Sequence, residues 1–125
     1  MSLVECSNIY VKETENKGFG VFSRVDFKKG DLIETGIARC IDIDGNENPY
    51  LFTWSEDRTK WAFLSGCATF YNTSLTPNVI VNRYFEDNRF TIKAIQDISK
   101  DTELMHTYKS LQWRKCFQEL NKSLN

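Results

Sequence analysis

The residues able to do chemistry are few and scattered. His106 is the only histidine, and no nucleophile elbow flanks it, so a serine or cysteine triad has no base in a recognisable setting. Cys6, Cys40, Cys67 and Cys116 stand far apart without C-x-x-C spacing, which argues against a zinc site, and no metal is expected. The phosphate-loop pattern G-x-x-x-x-G-K-[ST] is missing, and Gly18-Phe19-Gly20 lacks the third glycine of a dinucleotide fingerprint. Two glycines so spaced are either a flexible turn between strands or a place where backbone approaches a ligand closely. Asn72, in FYNTSLTPN (70–78), is ambiguous in a similar way. With Thr73 and Ser74 it fits a glycosylation acceptor, yet a Phe-Tyr pair leads into it and a Pro-Asn turn follows, as for a polar group held inward to grip something.

The bulk properties bear on that choice. A chain of 125 residues suits a single domain over 1–125, with residues 1–3 resembling a cloning addition. Hydrophobic content of 41%, aromatic content of 14%, charged content of 26% and a net charge of −1 are those of a soluble globular protein, with no direct nucleic-acid partner expected. The start lacks a basic flank followed by an apolar run, and no 18-residue apolar stretch exists, so neither a secretory leader nor a membrane span is expected. The expected setting is therefore intracellular, in cytoplasm or nucleus, with reduced cysteines serving mostly as small buried hydrophobes. Oligosaccharide is added in the secretory pathway, so the acceptor patterns at Asn72 and Asn121 read as chance matches.

The elements that must position these residues are mostly strands. Stretches 8–12, 20–25, 31–41, 50–54, 79–85 and 89–95 are rich in branched and aromatic residues, partly alternate, and are separated by turn clusters. Only the end, 109–125, shows helical spacing, through Leu111, Trp113, Phe117 and Leu120. Two segments echo each other, VDFKKGDLIE (25–34) and QDISKDTELM (96–105), which marks two similar turn-into-strand corners in one small β fold. His106 and Tyr108 are two residues apart on what should be a strand, so both side chains share a face.

In chain order, KGFGVFSRVDFKKGDLIET (17–35), YLFTW (50–54), FYNTSLTPN (70–78) and AIQDISKDTELMHTY (94–108) resemble the motifs of the SET-domain protein lysine methyltransferases. The resemblance spans nearly the whole chain, and its size is similar to compact, stand-alone members of viral or bacterial type. It implies a mainly β, SET-domain (β-clip type) fold of several small sheets. A knot-like C-terminal crossing would bring 70–78 beside 103–108. It also implies S-adenosyl-L-methionine bound on one face and a protein lysine entering a channel from the other.

The resemblance assigns roles by position. Lys17, Gly18, Phe19 and Gly20 would meet the cofactor with Asn72, Thr73 and Trp113, and Tyr108 would be catalytic, orienting the amine and easing the methyl's partial positive charge. Tyr50, His106 and Trp113 would line the substrate channel, His106 at the position that governs how many methyl groups a lysine receives. The plainer alternatives are a core tyrosine at 108, helix-to-sheet packing at Trp113, and a solvent-facing His106 on a twisted strand. Acidic groups at Asp42, Asp44, Glu47, Glu56 and Asp57 would favour a basic peptide such as a histone tail, or simply solvate a loop. A homodimer is left open. Thr73, Asp101-Thr102 and Thr107 depart from the family pattern, and a missing carboxylate at 107 would loosen the network beside Tyr108. The alternative to an enzyme is therefore a catalytically inactive, SET-like protein-interaction module.

Overall fold

The computed structural model describes residues 2–108 and 114–124, Lys115 by its backbone alone. Its elements are β1 (Ile9–Glu13), β2 (Phe19–Ser23), β3 (Leu32–Ile41), β4 (Phe52–Thr53), β5 (Trp61–Leu64), β6 (Asn72–Thr73), β7 (Val79–Tyr84), β8 (Arg89–Ala94) and β9 (Glu103–His106). A 3-10 turn (Lys115–Phe117) then leads into α1 (Gln118–Leu124). Residues 109–113 of the stretch expected to be helical lie outside the described residues.

One sheet runs β1-β2-β9-β6 and the other β4-β5-β3-β8-β7. Val21, Phe90, Ile92 and Leu104 are wholly buried at the centre, as branched and aromatic residues on the inner faces require. The strand expected over 50–54 shrinks to Phe52–Thr53. Asn48 captures the preceding backbone, its side-chain oxygen accepting the Tyr50 N–H at 3.0 Å and its carbonyl the Leu51 N–H at 3.3 Å. The cysteines expected to be mostly small buried hydrophobes are so only in part: Cys6 and Cys67 are half-buried and pack against the core, Cys116 is half-buried, Cys40 is exposed, and all four are free thiols.

The two echoing corners pair with each other. Phe27 and Ile98 exchange backbone hydrogen bonds of 2.8 Å each way, and the Lys29 and Lys100 N–H groups donate to Asp97 and Asp26 at 3.0 and 2.7 Å. Gly30 turns with φ 90°, and Asp101 fills the equivalent corner at φ 66°, a left-handed conformation that a short polar side chain tolerates. These corners launch β3 and β9 into the core.

Two irregularities set up the site. A bulge between Leu32 and Glu34 in β3 breaks the alternation, so Ile33 and Glu34 are both buried. Further on, β6 pairs in parallel with β9, Asn72 opposite Met105 and Thr73 opposite His106. The 74–78 loop then straps β9, as the Asn78 side chain donates to the Glu103 carbonyl and accepts the Met105 N–H, both at 2.9 Å.

Candidate active site

Strand β9 sorts its side chains by alternation. Leu104 and His106 turn into the core, and Glu103 and Met105 turn the other way. Glu103 is the hub on its side. Its carboxylate accepts from Lys17 Nζ at 2.6 Å and from Asn72 Nδ2 at 2.8 Å. The same Asn72 nitrogen donates to the Phe19 carbonyl at 3.0 Å, so the amide clips β2 to β9. Gly20 makes this approach feasible: a Cβ there would meet Glu103 Oε2 at 2.7 Å and Asn72 Nδ2 at 3.2 Å.

Tyr108 is held from behind. Its hydroxyl donates to the Tyr71 carbonyl at 2.7 Å and its N–H to Thr73 Oγ1 at 3.1 Å. Burial, with the Glu103 charge in support, pushes its phenol up to about 12, so the hydroxyl keeps its proton at neutral pH. With that proton committed to Tyr71, the oxygen presents its lone pairs to any donor beside it. Tyr71 is fixed in turn by Glu34, which accepts its hydroxyl and the Cys67 N–H at 2.9 Å each. Glu34 is 1% exposed, and burial raises its carboxyl despite those two hydrogen bonds.

His106 is 4% exposed, which removes the solvent-facing alternative. Its ring lies 5.0 Å from that of Tyr108 and 6.2 Å from that of Tyr71. Burial first, then the positive charge of Arg83, lowers the imidazole to about 3 and outweighs the Thr107 backbone hydrogen bond, so it is neutral at physiological pH. Thr107 is engaged rather than loose: its hydroxyl donates to the Ser74 carbonyl at 2.6 Å.

Two cavities meet at Tyr108. An open cleft of ≈ 600 Å³ is lined by Lys17, Gly18, Phe19, Tyr50, Phe70, Tyr71, Asn72, Tyr108 and Phe117, among others. A narrow pocket of ≈ 30 Å³ lies beyond, walled by Leu51, Phe52, Tyr71, Arg83, His106, Tyr108, Arg114 and Phe117, among others. Phe117 is shared by both and its ring sits 5.0 Å from that of Tyr108. Arg114 ties this C-terminal segment to the 45–51 loop by donating to the carbonyls of Leu51 (2.9 Å), Gly45 (2.7 Å) and Asn48.

The SET domain family model matches residues 18–109, which takes in the Gly18–Gly20 turn, Asn72, Glu103 and Tyr108. The chain belongs to the SET-domain family. It is similar to the Drosophila melanogaster histone-lysine N-methyltransferase trr, 28% identical over a match 117 positions long that covers 82% of this chain. The chain spans 5% of that relative's length. Among solved structures it is similar to a candidate histone methyltransferase of Plasmodium falciparum, with a TM-score of 0.67 and 28% identity, over 85% of this chain and 96% of that one. The Chaetomium thermophilum Polycomb Repressive Complex 2, in an autoinhibited conformation bound to S-adenosylmethionine, shares the fold. There the TM-score is 0.70 at 19% identity, over 95% of this chain and 17% of that one. The mainly β architecture of small sheets with a C-terminal helix is thus that of a SET domain.

Within this SET domain, Lys17, Gly18, Phe19 and Asn72 come together on the open cleft, and Gly20 lies directly behind Asn72. Thr73 is buried and does not line the cleft; its hydroxyl is spent on the Tyr108 backbone. Tyr50 lines the cleft at 63% exposure and is absent from the narrow pocket, which His106 does line. Trp113 lies outside the described residues. Sequence reasoning gave no role to Glu103, Tyr71, Glu34 or Arg83. For Glu103 a signal existed, since alternation from the apolar Leu104 turns its carboxylate toward the Gly18–Gly20 side.

Proposed function

We propose that the chain is a protein-lysine N-methyltransferase that uses S-adenosyl-L-methionine, with a histone tail as the first substrate class to test. The observation that carries this reading is the junction of an open cleft and a narrow pocket at Tyr108. When bound, the cofactor supplies an electrophilic methyl group on a sulfonium centre. The cleft's groups match its chemistry: Lys17, held by Glu103 behind the lining, offers a cation for a carboxylate, and exposed Phe19 and Phe70, edge to face at 6.1 Å, offer aromatic surface. Gly20, with no room for a Cβ, lets Asn72 and Glu103 close on the backbone that floors the cleft.

The protein's own work is positioning. A lysine stem suits the aromatic walls of the narrow pocket, made by Phe52, Tyr71, Tyr108 and Phe117. At its end the Tyr108 oxygen accepts a hydrogen bond from the neutral amine, while the Tyr71 carbonyl holds the phenolic proton away. Orientation of this kind is worth roughly 7 to 11 kcal/mol in favourable cases, and no covalent or acid-base step by a side chain is required. The names of the Drosophila and Plasmodium relatives support a histone as substrate, which would place the activity in a nucleus. Exposed Asp42, Asp44, Glu56 and Asp57 flank the 45–51 loop, which carries exposed Glu47, and together would attract a basic peptide.

Calorimetric titration with S-adenosyl-L-methionine tests the reading. Binding is expected, and Asn72→Ala should weaken it by about 1 to 3 kcal/mol through the lost polar partner. No binding by the unmutated protein would reject the enzyme. Binding with no transfer to any lysine would favour the interaction module.

A further inference from the structure

Arg83, near the end of β7, is a cation built into the wall of the narrow pocket without a counter-charge. Its Nε and Nη1 are buried and have no hydrogen-bond partner among the described residues, and its guanidinium lies over the Phe52 ring at 5.6 Å. Among the described residues no carboxylate lines the pocket. The carboxylates that hold Tyr71 and Asn72 are committed elsewhere, Glu103 to Lys17 and Asn72, and Glu34 to Tyr71 and Cys67. The titratable groups facing Arg83 are His106, Tyr71 and Tyr108, with Arg114 as a second cation. Arg83 and His106 also share the wall of a shallower hollow on the Pro77–Val81 side. Arg83 is half-buried as a residue, with these two nitrogens out of water; a cation so placed without a partner destabilises a fold, and hydrophobic residues of similar size commonly improve on it.

We propose that Arg83 selects the charge state of what enters the narrow pocket, admitting the target amine only in its neutral, nucleophilic form. This rests on the methyl-transfer reading. A lysine amine in water has a pKa near 10.4 and is almost wholly protonated at neutral pH, so it has no free lone pair. A fixed cation beside it lowers that value and drives the proton to solvent before transfer. The lone pair then forms the N–C bond as the C–S bond breaks, with the bonding electrons left on sulfur. The same charge bears on His106, where burial first and then Arg83 favour the neutral imidazole. Permanently charged side chains, such as arginine or a quaternary ammonium, are disfavoured in the same pocket.

Two variants separate charge from packing. Arg83→Met removes the cation and keeps an apolar stem, whereas Arg83→Lys keeps the charge. In the cofactor-free protein, the His106 imidazole followed by NMR should titrate roughly one pH unit higher in Arg83→Met and close to the unmutated value in Arg83→Lys. In transfer assays on a lysine peptide, the acidic limb of kcat at saturating peptide, which reports the bound amine, should move to higher pH by a similar amount in Arg83→Met alone. A peptide carrying aminoethylcysteine, a less basic amine, should restore its rate at neutral pH. Arg83→Met should melt no lower than the unmutated protein, since it removes an uncompensated charge. An unmoved His106 titration would overturn the field of Arg83. A moved titration with an unmoved rate profile would overturn its action on the amine. Absence of transfer by the unmutated protein would instead sink the methyltransferase reading, with the titration still reporting on Arg83.

Discussion

Replacing Asn72 by aspartate would set a carboxylate where an amide now donates to Glu103 Oε2 at 2.8 Å and to the Phe19 carbonyl at 3.0 Å. Two like charges at that separation repel by about 6 kcal/mol at an effective dielectric of 20. Protonation caps the cost: starting from an ordinary aspartate pKa near 3.9, keeping the introduced group neutral at pH 7 costs about 4 kcal/mol. Lys17, already 2.6 Å from Glu103, offsets part of it, so Asn72→Asp should lose about 2 to 4 kcal/mol of folding stability at pH 7. The introduced group's folded pKa is raised, so the unfolded state binds fewer protons and the loss grows as pH rises above about 4. Near pH 4 it should shrink to about 1 kcal/mol, because the protonated carboxyl donates as the amide did. Asn72→Ala, by contrast, should cost about 1 to 2 kcal/mol with little pH dependence. Urea unfolding of both variants from pH 4 to pH 8 makes the comparison. An Asn72→Asp loss as flat with pH as that of Asn72→Ala would refute the apposition of residues 72 and 103.

Gly20→Ala would drive a methyl into Glu103 and Asn72, at 2.7 and 3.2 Å, and into Thr14 at 2.9 Å, so cofactor affinity measured by calorimetry should fall by at least tenfold while the protein stays folded. For His106, the folded imidazole at about 3 lies below the unfolded value near 6.5, so the unfolded state binds the extra proton between these values. Stability is lost as pH falls across that window, by roughly 4 to 5 kcal/mol at its lower end. His106→Phe should flatten this acid limb in denaturation curves. On the channel reading it should also shift products toward higher methylation, whereas His106→Tyr should shift them lower, at matched total turnover.

The branched and aromatic runs made most strands legible, and the paired Asp-apolar-polar-Lys corners announced a local symmetry that Phe27 and Ile98 complete. The site was legible where a motif held polar residues among apolar ones, as at Asn72 and His106. Lys17 was legible through the motif that holds it, whereas Glu34 and Arg83 were not, because charge with no assigned role in a motif reads as surface. Glu34 is buried by a bulge that simple alternation cannot anticipate, and two guanidinium nitrogens of Arg83 are covered by the packing of the narrow pocket around them. β6 is only two residues long and exists through its parallel pairing with β9, a contact across some thirty positions of sequence that no local pattern encodes. Tyr50 left its expected strand because Asn48 competes for the local backbone hydrogen bonds, a turn effect that outweighs β-propensity.

The central claim is that Tyr108, at the junction of cleft and pocket, positions a protein lysine for methyl transfer. Mass spectrometry of histone and non-histone peptides incubated with isotopically labelled S-adenosyl-L-methionine tests it most directly, run beside Tyr108→Phe. That variant loses one hydrogen bond to the Tyr71 carbonyl, about 1 kcal/mol of stability, and should keep its fold and cofactor affinity. Labelled methyl groups are expected on lysine side chains with the unmutated protein, and at least a hundredfold less with Tyr108→Phe. Equal labelling by both proteins, or label on no lysine at all, would contradict it.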